Sequence, residues 1–422
     1  MSFSFLLASW GNSRKSEPPS ESCVTRHRTC IRAVLALGTI VACFPSVAAV
    51  AETTSPPSVV IGVQGTSMTL DGHPWLPRGV QISGFESTLA FSCNPDNHFY
   101  RQCIARRNYG LPELNAARDF DADTLRFQVS QPSLDPDSPL FDHSYVQATL
   151  AAIALARRQG FAVVIMMQDE RISGEPLQRE NPLPTAATVR DWDMLTRVFG
   201  QDRGVMFELF NEPKLRVSSE NWALWADGGE IVWGPAGVEP RKIMTVGMQP
   251  LINRLRSEGS QNVVVLDGLA VAQTLRGLPR IDDPRHRVVY AVHPYFDGKN
   301  KERLWDSEFG DVSRRLPVFA DEWSAPSDSK LGLGKPGTPR CCLQTYQESV
   351  DFLNYIRDHR IPLAGGAFDV VGWMVRDVPG WGPSNYDNYW PSVPNDDAGL
   401  LVHTLFKTDY GRPVIYQDGV TH

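Results

Sequence analysis

Two glutamates in this chain stand where a carboxylate can react rather than simply be solvated. Glu212 lies in Asn211-Glu212-Pro213 after the apolar run Val205-Met-Phe-Glu-Leu-Phe210, and Glu322 lies in Asp321-Glu322-Trp323 after Leu316-Pro-Val-Phe-Ala320. A short apolar run of this kind reads as a buried parallel strand, and Pro213 does not fit a helix interior. Each acid is therefore expected at the C-terminal lip of a strand, the edge on which α/β barrels carry their chemistry. One such glutamate is ordinarily a solvated loop residue or a charge at a helix start. Two of them facing one cleft form the pair that glycosidic bond cleavage needs, with one carboxylate attacking carbon and the other acid protonating the leaving oxygen.

Such a pair requires a scaffold of strands sharing one mouth. The sequence supplies eight candidates: Arg78–Ile82, Ala122–Val129, Phe161–Met167, Val205–Phe210, Asn262–Leu266, Val288–Val292, Val318–Ala320 and Gly365–Gly372. Helical or loop-rich segments mostly separate them. Leu343, Tyr346, Val350 and Leu353 recur at three and four residues, giving one apolar stripe, and Ser144–Arg158 is similar but richer in alanine. Asp396–Phe406 supplies a short last helix before the tail Gly411–Ile415. Alternation of strand and helix predicts a parallel sheet, and eight repeats predict its closure into a (β/α)8 TIM barrel. An open doubly wound sheet is the competing fold, but no Gly-x-Gly-x-x-Gly follows the first strand to support it. Met68–Trp75 reads as a short N-terminal β-hairpin around Asp71-Gly72.

Three further matches fall in order: Arg126 in Thr124-Leu-Arg-Phe-Gln-Val129, His293-Pro294-Tyr295, and Trp373 in Val371-Gly-Trp-Met374. With Asn211-Glu212-Pro213 and Glu322, this set resembles glycoside hydrolase family 5 and its wider clan of barrel glycosidases, over residues 60 to 410. The resemblance implies that Glu212 on the fourth strand is the acid/base and Glu322 on the seventh the nucleophile. It also implies that Asn211 bonds the 2-hydroxyl of the sugar, His293 contacts the sugar, Tyr295 donates to the nucleophile and Trp373 forms a floor under the ring. Arg126 suits the orientation of Glu322, because a guanidinium fork holds a carboxylate oxygen in place. The two acids need different environments: Glu212 a raised pKa so that it keeps its proton, Glu322 an ionised, hydrogen-bonded state. One departure stands at the third strand, where many members of the family carry a histidine and this chain has Gln168, which can still hydrogen-bond a hydroxyl. Trp222, Trp225 and Trp233 after strand four, and Trp381, Tyr386, Tyr389 and Trp390 after strand eight, are expected to shape the groove or pack its loops. Asp321 and Glu322 are sequential and should alternate faces of a strand, which makes them a poor chelating pair. No metal and no cofactor are expected.

The resulting expectation is a retaining β-glycosidase, with an endo-β-glucanase first among the substrate readings. A β-mannanase or an exo-β-glycosidase is the alternative within the same family. A carbohydrate-binding protein without catalysis is the alternative outside it, and a transglycosylase would share every residue named. The partner is a β-linked oligo- or polysaccharide, and the chain is expected to be a monomer.

With 42% hydrophobic and 10% aromatic residues, the 422-residue chain can build a large core, which argues against disorder. A formal charge of −7 without a polybasic run excludes a phosphate-reading surface, so nucleic acid is not an expected partner. Arg26, Arg28 and Arg32 precede Ala33–Cys43, and small residues follow through Ala51. That order predicts a secretory signal within residues 1–51, a Ser/Thr/Pro linker at 52–59 and a catalytic domain over 60–422. The apolar stretch is short and followed by Pro45, so no stable membrane span is expected. Secretion or periplasmic export is the reading, with lipid anchoring through Cys43 as the alternative. Four of the seven cysteines lie beyond residue 51, namely Cys93, Cys103, Cys341 and Cys342. Their three possible pairings stay open, Cys93 with Cys103 being preferred.

Overall fold

The structure is a computed structural model and describes residues 58–86, 106, 109–169, 180–234, 239–295, 304–324, 346–370, 374 and 398–412. The chain divides after Thr54, and every element below belongs to the unit Ser55–His422. The four cysteines beyond residue 51, Trp373, and the aromatics at 381, 386, 389 and 390 lie outside the described residues.

Three short strands open the described chain: β1 (Ile61–Gln64), β2 (Ser67–Leu70) and β3 (His73–Trp75), paired antiparallel in that order. Eight parallel strands then close into a barrel. They are β4 (Arg78–Ile82), β5 (Thr124–Ser130), β6 (Ala162–Gln168), β7 (Val205–Glu208), β10 (Val263–Asp267), β11 (Val288–Ala291), β12 (Val318–Trp323) and β13 (Leu363–Gly365). Helices α1 (Leu111–Asp119), α2 (His143–Arg158), α3 (Ala186–Phe199), α4 (Ser219–Asp227), α5 (Met248–Ser257), α6 (Tyr346–Asp358) and α7 (Ala398–Lys407) follow in sequence between or after these strands. This is the (β/α)8 barrel that the strand and helix pattern predicts. The eighth strand differs in its bounds, ending at Gly365 where the apolar stretch predicted a start. The seventh extends past Ala320 to include the acids.

Period-two alternation sorts every barrel strand into an outer and an inner face. Outward residues such as Leu125, Phe127, Val163, Ile165, Phe207, Val264 and Leu266 pack with the helices in one large apolar cluster. Inward residues Ala162, Val164, Met206, Val263, Val265, Val289, Ala291, Phe319 and Ala364 fill the lower lumen. Ile61 and Met68 join that second cluster, so the N-terminal strands plug the bottom of the barrel. The Ile61 amide also donates to the Arg203 carbonyl at 3.0 Å.

One step further up six of the strands, the inward position carries a larger polar or charged side chain. Met206 is succeeded by Glu208, Val265 by Asp267, Ala291 by His293, Phe319 by Asp321, Thr124 by Arg126 and Gly79 by Gln81. These side chains are buried, and Arg126, Glu208, Asp267, His293 and Asp321 have no exposure at all. The polar layer lies above the sealed apolar floor, at the mouth that carries the reactive residues.

Between α4 and α5 the chain forms an unanticipated antiparallel hairpin, β8 (Gly228–Trp233) with β9 (Arg241–Val246). Arg241 donates to the Asn181 side chain at 2.8 Å, and Val246 to the Pro184 carbonyl, so the hairpin flanks the loop after β6.

Candidate active site

Arg126 is the hub of the polar layer, and all five of its N–H groups are used. Nε and Nη2 bind the two oxygens of Glu208 at 2.8 and 2.5 Å. Nη2 also donates to Asn211 Oδ1 at 2.9 Å, while Nη1 donates to Gln81 Oε1 at 2.5 Å and to Glu322 Oε2 at 2.6 Å. Gln81 is held in turn by its Nε2 donating to Gln128 Oε1 at 2.9 Å. Burial works against the guanidinium charge, but Glu208, Asp321 and Glu322 outweigh it and hold the arginine well above its ordinary value.

Glu322 is thereby gripped at both oxygens. Arg126 occupies Oε2, and the Tyr295 hydroxyl donates to Oε1 at 3.3 Å. Burial, with Glu322 and Glu212 nearby, pushes the Tyr295 phenol well up, so it stays protonated and able to donate. The placement of Glu322 depends on a bulge. β12 pairs Ala320 with Leu363 and Trp323 with Gly365, which leaves one extra residue on β12. Simple alternation would send Asp321 and Glu322 to opposite faces; the bulge instead turns both toward Arg126, at 3.9 and 2.6 Å. The expectation of opposed faces is corrected by this irregularity.

Glu212 sits opposite, 23% exposed at its side chain, with His293 Nδ1 2.9 Å from Oε1. A carboxylate oxygen of Glu212 and one of Glu322 lie within 4.8 Å of each other. Burial alone would raise the Glu212 carboxyl, but the hydrogen bond and charge of His293, then Lys214 and Arg126, bring it below its ordinary value. A raised value was expected here; the histidine reverses it. His293 itself is buried, which disfavours its cation. The charges of Glu322 and Asp267 and hydrogen bonds to Asp321 and Glu212 outweigh that and raise it well above an ordinary imidazole. Its Nε2 lies 3.4 Å from Asp321 and 3.6 Å from Asp267. With no exposure, the ring supports Glu212 from behind rather than facing the open cleft, which departs from the direct sugar contact that the resemblance implied.

The remaining expected positions divide. Asn211 is tied to the cluster through Arg126, and its amide N–H is fixed by the Met167 carbonyl at 2.9 Å. Gln168 is buried at the top of β6, and its Oε1 has no hydrogen-bond partner among the described residues. Trp222 and Trp225 are not stacking platforms. Their indoles are buried and donate to the Arg276 and Asp267 carbonyls at 2.9 and 2.8 Å.

Glu208, Asp267 and Asp321 were not anticipated as site residues, although the two-residue step up each strand from an inward apolar position leads to every one. Ligand atoms of Glu208, Asp267, His293 and Asp321 lie close enough to surround a small cation. The Arg126 guanidinium already occupies that role, binding both oxygens of Glu208.

A closed parallel barrel whose strand ends bring two carboxylates together over a buried arginine defines a barrel hydrolase of glycosides. The sequence profile of Cellulase (glycosyl hydrolase family 5) matches residues 112–365, more than half of the chain. The chain belongs to glycosyl hydrolase family 5 and is a glycoside hydrolase. Among solved structures it is similar to a β-glucanase of Saccharophagus degradans, at 17% identity and TM-score 0.57, covering 84% of this chain and 94% of that one. The same enzyme in complex with cellotetraose matches with 16% identity and TM-score 0.58 over the same shares. A hyperthermophilic endocellulase from the archaeon Pyrococcus horikoshii matches at 14% identity and TM-score 0.55, covering 84% of this chain and all of that one. No match was found among the curated proteins.

Proposed function

We propose that this chain is a retaining β-glycosidase working by double displacement on a β-linked glucan, with Glu322 as nucleophile and Glu212 as acid/base. The observation that carries this reading is the separation of the two carboxylates, within 4.8 Å at their nearer oxygens. Retaining pairs stand about 5 Å apart, whereas inverting pairs need roughly 6.5 Å or more to admit a water between acid and base. The substrate class rests on the family and on the similarity to a structure that holds cellotetraose.

In the first step an oxygen of Glu322 attacks the anomeric carbon. The bond to the leaving oxygen breaks, and that oxygen takes the proton of Glu212. Arg126 and Tyr295 hold the attacking carboxylate at a fixed angle. Asn211 has its Oδ1 committed to Arg126, which leaves the Nδ2 group as a donor for the 2-hydroxyl. In the second step Glu212 takes a proton from water, the water oxygen bonds to the anomeric carbon, and the ester to Glu322 breaks.

The paired Glu212 and His293 share the proton used in the first step. In the free protein it rests on His293, and approach of the leaving oxygen draws it onto Glu212. The pair therefore stays loaded until His293 titrates, above the range of an ordinary imidazole. His293→Gln leaves only the carboxyl's own proton, so the basic limb of kcat/KM should move to lower pH. An unchanged basic limb in a folded variant would remove the shared-proton account.

The test of the substrate class is sugar release from β-glucan, carboxymethyl-cellulose, mannan, xyloglucan, xylan and aryl β-glycosides. Release is expected on the β-glucans; release on mannan alone would overturn the glucan assignment. Glu212→Ala should lose about 10²–10⁴-fold on poor leaving groups, spare the first step on activated aryl glycosides, and regain turnover with azide. Equal loss on all leaving groups without rescue would count against the acid/base role.

A further inference from the structure

Glu212 is held in a backbone conformation that non-glycine residues rarely adopt, with φ of 51°. Its amide donates to Asp267 Oδ2 at 2.8 Å. Asp267 ends β10 with no exposure, its carbonyl takes the Trp225 indole N–H at 2.8 Å, and Oδ2 lies 3.6 Å from His293 Nε2. One carboxylate thus touches the main chain of Glu212 and lies beside the ring of its partner.

The residues that follow extend the same grip. Ala270, Val271 and Ala272 have φ of 57°, 56° and 55°, a left-handed run of three residues without a glycine. A β-branched valine in that run is a conformational outlier that the surroundings must enforce. The amides of Ala270 and Val271 donate to the carbonyls of Leu215 and Pro213, both at 2.9 Å. On the other side, the Ala272 carbonyl accepts the His293 amide at 2.8 Å. Gly268 allows the turn to close, since a Cβ there would lie 2.0 Å from the Thr274 carbonyl oxygen. Segment 267–272 is therefore bonded to the backbone at Glu212, Pro213 and Leu215 on one flank and at His293 on the other.

We propose that Asp267 and the left-handed turn Ala270–Ala272 form a positioning clamp that sets the reach and angle of Glu212 against His293. The clamp makes no contact with the reacting atoms; it acts through Glu212, and it rests on the reading of Glu212 as acid/base. Its loss should be felt most where the leaving oxygen must be protonated, and least where the leaving group departs unaided. This signature separates positioning from a general structural role.

The experiment compares kcat/KM on cellotetraose and on 2,4-dinitrophenyl β-cellobioside for wild type, Asp267→Ala, Asp267→Asn and Glu212→Ala, with melting temperatures alongside. Asp267→Ala should lose about tenfold on cellotetraose, the loss of one well-placed hydrogen bond, and much less on the activated substrate. Asp267→Asn keeps an oxygen that can accept from the Glu212 amide and should recover most of that loss. Should Asp267→Ala not fold, Trp225→Phe, which frees the Asp267 carbonyl, should show the same preference at smaller size. Equal losses on both substrates in a folded Asp267 or Trp225 variant, or no loss at all, would overturn the clamp. If Glu212→Ala itself shows no leaving-group dependence, the acid/base assignment has failed instead.

Discussion

Glu322→Gln should lower turnover by about 10⁴-fold or more, because no covalent intermediate can form without the nucleophile. The substitution keeps the size of the side chain and one carbonyl oxygen. That oxygen can still accept from Arg126 or Tyr295, which now contact the two carboxylate oxygens at 2.6 and 3.3 Å. The melting temperature should therefore change little, since the group removed is a charge at a partly exposed position. Steady-state hydrolysis and a thermal melt on the same preparation check both halves. Residual activity within tenfold of wild type would remove Glu322 from the reaction.

Arg126→Leu should be the most damaging change to the fold. It deletes the five donors that hold Glu208, Gln81, Asn211 and Glu322, leaving Glu208 buried without its cation and Asp321 with His293 alone. Breaking a buried pair on one side costs about 3–5 kcal/mol. In a unit of this size that corresponds to a drop of about 4–6 °C in melting temperature. Activity should fall with it, because Glu322 and Asn211 lose their common anchor. Arg126→Lys should recover little, since a point charge cannot replace a planar fork that serves several acceptors. A melting temperature within about 1 °C of wild type for Arg126→Leu would mean that the buried carboxylates are stabilised by other groups.

The sequence reveals the strand ends more readily than what lies inside the strands. Glu212 and Glu322 stand out because each interrupts an apolar run at its end, and Asn211 and Pro213 mark the boundary. Glu208 lies within such a run, where one charge among apolar neighbours reads as an irregularity. Its role depends on Arg126, 82 residues away. Asp267 at the end of β10 and Asp321 within β12 are similar, each following apolar residues on the inward face of its strand. The bulge in β12 depends on how two strands are paired, so no pattern within Val318–Trp323 announces it. The fate of Trp222 and Trp225 was set by distant carbonyls, at Arg276 and Asp267, that the indoles reach only in the folded chain. The lowered carboxyl of Glu212 has the same origin, because it is His293, brought in from β11, that reverses the effect of burial. The turn at Ala270–Ala272 is the most opaque feature, since left-handed backbone is normally read from glycine or asparagine and here the residues are alanine and valine.

The measurement that bears most directly on double displacement across Glu212 and Glu322 is proton NMR of the first product formed from cellotetraose, recorded before mutarotation. The account predicts that the new reducing end appears first as the β-anomer, with the α-anomer growing in only by equilibration. Initial appearance of the α-anomer would mean a single displacement by water, and would contradict the role given to Glu322.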